Sequence, residues 1–242
     1  MKIIKLDAID STNDFLKNLI RSQTVENFTV VVAKTQTAGK GQMGAKWETE
    51  SGKNLTCSIL VKNFICDLND IFNVNILVSV SIIEVLNALK ILNLSVKWPN
   101  DILSDNKKIG GILIENNLKS NKTIESVVGI GLNVNQSKFD GLPNASSLLN
   151  CSHQFFELDE ILLLIASQIK NNHRIYEKSK THFWEYYHQN LYHLNVISLF
   201  EDEQKNQFQC KIIGVSNDGK LIVKLNDDSN QQFSLKEIKM IL

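Results

Sequence analysis

Two lysines and a series of glycines stand where anion chemistry would need them. In TAGKGQMGAKW, Gly39, Gly41 and Gly44 surround Lys40. Glycines let backbone N–H groups turn toward one point, and a flanking ammonium adds charge where a phosphate or carboxylate would sit. The stretch is neither G-x-G-x-x-G nor a Walker A sequence, and on its own it reads as a surface loop. In KWPNDI, Lys97 ends a short strand and is held by Pro99 two residues on. A lysine fixed at a sheet edge suits a carboxylate oxygen and then the phosphate formed on it. Trp98 is a packing residue there, and Asn100 and Asp101 suit an Asx turn. KKIGGILIE carries Gly110 and Gly111 inside a strand pattern, and GIGLN repeats the feature, which marks close approach of a backbone or ligand.

The elements that must position these groups follow from periodicity. KIIKLD alternates as a strand and runs into DSTNDFLKNLI, a helix start with Asp14 three residues after Ser11 as a capping-box acid. FTVVVAKTQ (28–36) and NLTCSILVK (54–62) read as strands joined by a long connection over 37–53. Residues 70–91 have apolar side chains at helical spacing and enough of them to be mostly buried. LSVKW, KKIGGILIE and IESVVGIGLNV are strands, and Leu158, Ile161, Leu162, Ile165 and Ile169 mark a second amphipathic helix before the aromatic HFWEYY. Helices interleaved this irregularly with several strands in a row predict an α+β fold. After about residue 192 the texture changes to short strands with tight turns, SNDG (216–219) among them, which reads as a small all-β module, a five-stranded barrel. The expected division is a domain of 1–190 followed by one of 191–242.

Lysine plus arginine and aspartate plus glutamate number 26 each, which argues against a duplex-binding face. No apolar run of membrane-spanning length and no leader-like start occurs, so a soluble, cytoplasmic protein without membrane attachment is expected. Cys57, Cys66, Cys151 and Cys210 are scattered without a C-x-x-C pair and read as buried small hydrophobes. The five histidines include no i, i+4 pair, so no helical metal clamp is expected.

The order STN, QTAGKGQMGAKW, GKNLTCSIL, KWPNDI, KKIGGILIE, GIGLNVN resembles the biotin protein ligases, by motif over residues 1 to about 150 and by layout beyond. The resemblance implies a catalytic domain related to the class II aminoacyl-tRNA synthetases, then an SH3-like β-barrel. It implies that biotin and Mg·ATP give biotinyl-5′-AMP and pyrophosphate, and that a lysine of the biotin carboxyl carrier domain of acetyl-CoA carboxylase then takes the biotin. Biotin contacts carry over to Ser11, Thr12, Asn13, Gln36, Gly39, Lys40, Gly41, Gln42, Lys97, Gly110 and Gly111. Nucleotide contacts carry over to Lys40, Trp47, Asn133 and Ala145, the last within a second flap (140–148). Lys40 and Lys97 are the expected catalytic cations. Mg²⁺ bridges phosphates without an assigned protein ligand, Asp101 being the one weak candidate. Hydroxyl and amide groups suit the ureido ring of biotin, and β-branched strands suit its apolar parts.

Family loops are often arginine-rich where this chain has Lys40, Gln42 and Ala45, so charge is reduced there. Residues 38–48 are expected to close on ligand. The chain begins almost directly at the STN strand, and no DNA-binding helix-turn-helix is expected. The family includes monomers and homodimers. The alternatives are a lipoate ligase or octanoyltransferase, and a non-catalytic biotin-sensing protein.

Overall fold

β-branched runs of the first 132 residues assemble into a seven-stranded sheet, seen in a computed structural model that describes residues 1–65, 67–119 and 123–241. Cys66 lies outside the described residues; Cys57 and Cys210 are buried, and Cys151 is only half-buried. In chain order the elements are β1 (Ile3–Ile9), α1 (Thr12–Ser22), β2 (Val30–Gln36), β3 (Leu55–Lys62), α2 (Phe72–Ala88), β4 (Leu94–Lys97), β5 (Asp101–Ser104), β6 (Lys107–Leu118), β7 (Ile124–Leu132), α3 (Leu148–Ser152) and α4 (Leu158–Gln189). The sheet order is β1-β2-β3-β7-β6-β5-β4, with β1 parallel to β2 and the other neighbours antiparallel. This is the expected α+β arrangement.

Strand alternation assigns the two faces. Val31, Leu60 and Val127 pack with Leu16 and Ile20 of α1 on one face. Val30, Ile59 and Val128 join α2 and α4 on the other, in a core that includes Ile76, Val80, Ile165 and Tyr176. Helix α2 is buried almost all round, in keeping with its continuous apolar sequence. The HFWEYY aromatics belong to α4 itself, whose one non-helical residue is Ser179.

The C-terminal strands β8 (Ile197–Asp202), β9 (Gln207–Val215), β10 (Leu221–Lys224), β11 (Asn230–Phe233) and β12 (Ile238–Met240) form a five-stranded antiparallel sheet in the order β11-β10-β9-β8-β12. The five strands match the expected number, but β11 and β12 end the sheet unpaired to one another, so it does not close into a barrel. Its apolar side packs into the core of the larger sheet: Phe200, Ile212, Val223 and Met240 belong to the cluster that holds α2 and α4. Trp98 fixes the junction from the other side, its indole N–H donating to the Gly219 carbonyl at 2.8 Å.

Candidate active site

The register of the large sheet builds the site. Thr56, Gly131, Gly111, Asp101 and Lys97 are consecutive cross-strand partners on β3, β7, β6, β5 and β4, so they form one row across the face that carries α1. The glycines leave this row bare, and the space is used at once. An added Cβ at Gly131 would sit 2.4 Å from Trp47 Cε2, and one at Gly129 would sit 2.6 Å from Asn13 Oδ1. The indole and the amide therefore lie directly on the strand backbone.

Above this floor opens a cavity of about 440 Å³, lined among others by Ser11, Thr12, Asn13, Gln36, Lys40, Gly41, Gln42, Trp47 and Gly111. At its closed end the start of α1 carries a buried polar chain. Ser58 Oγ lies 2.7 Å from Thr12 Oγ1 and 2.5 Å from Asn13 Oδ1, and Thr12 donates its backbone N–H and its hydroxyl to Gln36 Oε1 at 2.8 and 3.0 Å. Asn13 Nδ2 donates to Glu115 Oε2 at 2.8 Å. The chain has a direction: hydroxyls and amides are locked at one orientation against burial, and the Gln36 amide nitrogen has no protein acceptor among the described residues. The capping box is half formed. Ser11 Oγ accepts from the Asp14 N–H at 3.4 Å, whereas the Asp14 carboxylate turns outward to Lys17 at 2.8 Å and Lys40 at 2.5 Å. Burial alone would raise the Asp14 pKa, but its bonds from Lys17 and Lys40 outweigh that and leave it lowered.

The 37–53 connection covers the cavity through bonds across its own glycine turns. Gly41 N–H donates to Ala45 O at 2.7 Å and Trp47 N–H to Gly39 O at 3.0 Å. Gly39 serves this closure: a Cβ there would meet the Trp47 carbonyl at 2.3 Å, and Gly39 does not line the cavity. Gly110 faces away as well, toward Leu132 and Ile102, as alternation from Gly111 requires.

A second cavity of about 380 Å³ adjoins the first and shares Lys46, Trp47, Asp101 and Lys108 with it. Its far wall holds Asn133, whose side chain donates to Ser146 O at 2.9 Å, and the 139–145 segment with Ala145. Lys97 opens here and on the cleft toward the C-terminal sheet, not on the first cavity. Lys46 and Lys108 line both cavities, and of the two Lys108, which sequence reasoning passed over, is the one held at an acid. Its Nζ bonds Asp101 Oδ1 at 2.6 Å and stands 5.7 Å from the centre of the Trp47 ring. Strict alternation from Gly111 would have turned Lys108 to the opposite face. A register shift between Ile102 and Leu103 re-aims it, because Gly110 pairs with Ile102 while Lys108 pairs with Leu103. Main-chain bonds then hold it to the second flap, Lys108 N–H to Asn144 O at 2.7 Å and Ser146 N–H to Lys108 O at 2.9 Å.

KWPNDI thus has separate tasks. Trp98 reaches the C-terminal sheet, Asn100 clamps β6 through Ile112 (Nδ2 to O, 2.7 Å), Asp101 holds Lys108, and Lys97 ends the row. Burial, reinforced by Lys108 and Lys239 and opposed by Asp101, lowers the Lys97 pKa. Trp47 Nε1 is buried with no partner among the described residues, a donor waiting for an acceptor. Among the described residues four lysines line the first cavity against the single carboxylate of Asp101. Among the described residues no three His, Cys, Asp or Glu side chains cluster as a metal-ligand set, and no helix is long and apolar enough to cross a membrane.

A pair of adjoining cavities, one ending in locked amides and hydroxyls and both meeting at a lysine, is the layout of an enzyme that joins two anions. Residues 6–133 match the Biotin/lipoate A/B protein ligase family, and the chain belongs to that family. Among solved structures, the chain resembles the biotin protein ligase of Aquifex aeolicus in complex with biotin and ATP, with a TM-score of 0.80 and 25% identity over 99% of this chain and 98% of the other. It is 27% identical to the bifunctional ligase/repressor BirA of Bacillus spizizenii, over 96% of this chain and 72% of that protein. It is 29% identical to the biotin--[acetyl-CoA-carboxylase] ligase of Mycobacterium tuberculosis, over 50% of this chain and 45% of the other.

Proposed function

We propose that the chain is a biotin protein ligase that activates biotin with ATP and passes it to a lysine of a biotin carboxyl carrier domain. The observation that carries this reading is the junction of the two cavities at Lys108 and Trp47. Biotin enters the first cavity with its ureido ring toward Thr12, Asn13, Gln36 and Ser58. Donors and acceptors are fixed there before the ligand arrives, so little ordering is left to do on binding. Its bicyclic sulfur ring and chain lie along Ile112, Leu113 and Ile130, which brings the carboxylate to the mouth near Lys108. The nucleotide occupies the second cavity, where Asn133 and Ala145 line the wall and Trp47 forms the shared side.

A carboxylate oxygen then attacks the α-phosphorus, and the bond to the bridging oxygen of pyrophosphate breaks. No nucleophilic side chain is needed. The requirement is two anions in contact with their charge offset, which ammonium groups in a partly dry site supply. Lys108 stands where the two anions meet. Lys97, at the end of the same row, serves the phosphate side, and Lys40 changes partner from Asp14 to the ligand as the loop closes. Cys57 also lines the cavity, but burial pushes its thiol up to about 12, so it stays protonated and apolar. Mg²⁺ enters as part of the nucleotide substrate. Asp101 is engaged by Lys108, and the described residues offer no set of free carboxylates, so no protein ligand is assigned to the metal. In the second step the carrier lysine attacks the biotinyl carbonyl and AMP leaves.

Incubation with Mg·ATP, a purified carrier domain and either labelled biotin or labelled lipoate tests the reading. Label on the carrier lysine from biotin alone is the expected result. Label from lipoate alone would transfer the assignment to the lipoate branch, and tight biotin binding without transfer would favour a sensing protein.

A further inference from the structure

The buried polar chain at the start of α1 has fewer protons than contacts. Three oxygen–oxygen contacts run in series: Gln36 Oε1 to Thr12 Oγ1 at 3.0 Å, Thr12 Oγ1 to Ser58 Oγ at 2.7 Å, and Ser58 Oγ to Asn13 Oδ1 at 2.5 Å. The two hydroxyl protons of Thr12 and Ser58 must serve all three. Both ends are fixed as acceptors. The Thr12 backbone N–H holds Gln36 Oε1 toward the chain at 2.8 Å. At the other end Asn13 Nδ2 donates to Glu115 Oε2 at 2.8 Å and, more weakly, to Leu113 O at 3.3 Å, so Asn13 Oδ1 is the atom that faces Ser58.

Glu115 sets that direction. An ionised carboxylate only accepts, so Asn13 must turn its NH2 group toward it. Lys17 steadies the carboxylate from its far oxygen, Nζ to Oε1 at 2.5 Å, and is itself held by Asp14 at 2.8 Å. The Asn13 amide is seated on bare backbone at Gly129, where a Cβ would meet its Oδ1 at 2.6 Å. Position and orientation of this amide are therefore settled by β6 and β7 before any ligand enters.

We infer that Glu115 is a positioning residue for ligand recognition: by fixing the Asn13 amide it leaves the hydroxyl chain one proton short, so that the cavity selects an acid whose far ring brings an N–H donor to Gln36 Oε1 and Thr12 Oγ1. The inference rests on the ligase reading above, in which that donor is a ureido N–H of biotin. In the free protein the Thr12 hydroxyl closes on Gln36. An arriving N–H takes its place, the Thr12 hydroxyl turns to Ser58, and Ser58 stays on Asn13. The ligand thus supplies the missing proton. A ring with only acceptors at that point would face two unprotonated oxygens, the costly case for buried polar groups.

Calorimetric binding of biotin without ATP tests this. Glu115→Gln keeps the shape, but Lys17 attracts the new amide oxygen, so the new amide nitrogen faces Asn13 and turns it over. Asn13 then donates into the chain, no proton is missing, and biotin should bind about tenfold more weakly. Adding Lys17→Met frees the new amide to offer its oxygen to Asn13 and should restore affinity to within about threefold of Lys17→Met alone. Two analogues, each with one ureido N–H replaced by oxygen, report the polarity directly. The unaltered protein should bind the weaker of them at least about a hundredfold less tightly than biotin, and Glu115→Gln should narrow that gap to about tenfold. Unchanged biotin affinity in Glu115→Gln would overturn the inference. So would a double variant as weak as the single one, or an unchanged analogue gap, either of which would leave Glu115 a structural role only. Absence of biotin binding by the unaltered protein would instead remove the ligase reading, and the inference with it.

Discussion

Lys108→Met removes one ammonium and keeps the length and apolar stem of the side chain. In the native site that ammonium lies 2.6 Å from Asp101 and is 39% exposed, so its field is partly screened. Opposite charges about 4 Å apart at an effective dielectric of about 20 interact by about 4 kcal/mol, and this exposure reduces the useful part to about 2 kcal/mol. A second effect adds to the first. Asp101, only 24% exposed, loses its partner and becomes an uncompensated carboxylate facing two incoming anions. Together the losses amount to about 3–4 kcal/mol, or a fall of about 10²–10³ in the rate of adenylate formation. The assay is biotin-dependent pyrophosphate release under saturating ATP. The double variant Lys108→Met with Asp101→Asn removes both charges and should recover about tenfold of the loss, because the repulsive half is gone. A single variant within threefold of the native rate, or a double variant no better than the single, would refute this account of the junction.

Other consequences are read with similar assays. Gly131→Ala places a methyl carbon against the Trp47 ring, which no hydrogen bond from the described residues holds; nucleotide KM should rise about tenfold or more while the urea midpoint moves little, an overpacking cost of about 1–3 kcal/mol being absorbed by the indole. Ser58→Ala leaves Asn13 and Thr12 short of a donor in a buried chain and should cost about 1–3 kcal/mol in urea unfolding together with a weaker biotin affinity. Because the Lys97 pKa is lowered, mainly by burial, the ATP-dependent activity should fall on the alkaline side earlier than an ordinary lysine would allow, and Lys97→Arg should shift that limb upward. The same shift means that charge on Lys97 weakens folding at neutral pH. That cost is relieved as pH rises through its folded pKa and is gone above the ordinary lysine value. Burial, with the Lys97 charge second, lowers the His193 pKa, so Lys97→Met should raise it in an NMR titration. Saturating biotin and ATP should slow proteolysis within residues 38–48, and equal cleavage with and without them would contradict loop closure.

Most of the fold was legible because its signals are local. The β-branched, strand-type runs VVVAKTQ and LTCSILVK, the helical spacing of 158–169, and the Ser11 cap each depend on neighbours a few residues apart. Strand β5 was not read, since Asp101–Ser104 is four residues long and sits inside what looked like a turn. The expected five-stranded barrel is an open sheet of five strands, because closure depends on whether β11 and β12 meet, and their sequences carry no register. Within the site, the α1 start, Gln36 and the glycine loop lined the cavity through positions that strand and cap logic specify. Lys97 and Lys108 traded places for a reason invisible to pattern reading: one irregularity opposite Ile102 reverses the face of a single lysine. The adjacent lysines of KKIGGILIE offered the signal, a charged pair at the mouth of a glycine-bearing strand, but not its direction. Lys239 was hidden for a different reason, since only the docking of the two sheets brings residue 239 to residue 97.

The central claim is that the acid and the nucleotide react in adjoining cavities before any carrier protein is engaged. Biotin-dependent exchange of labelled pyrophosphate into ATP, with no carrier present, measures that step alone. Exchange that requires biotin and collapses in Lys108→Met is the predicted result. Exchange that proceeds without biotin, or appears only when a carrier domain is added, would contradict it.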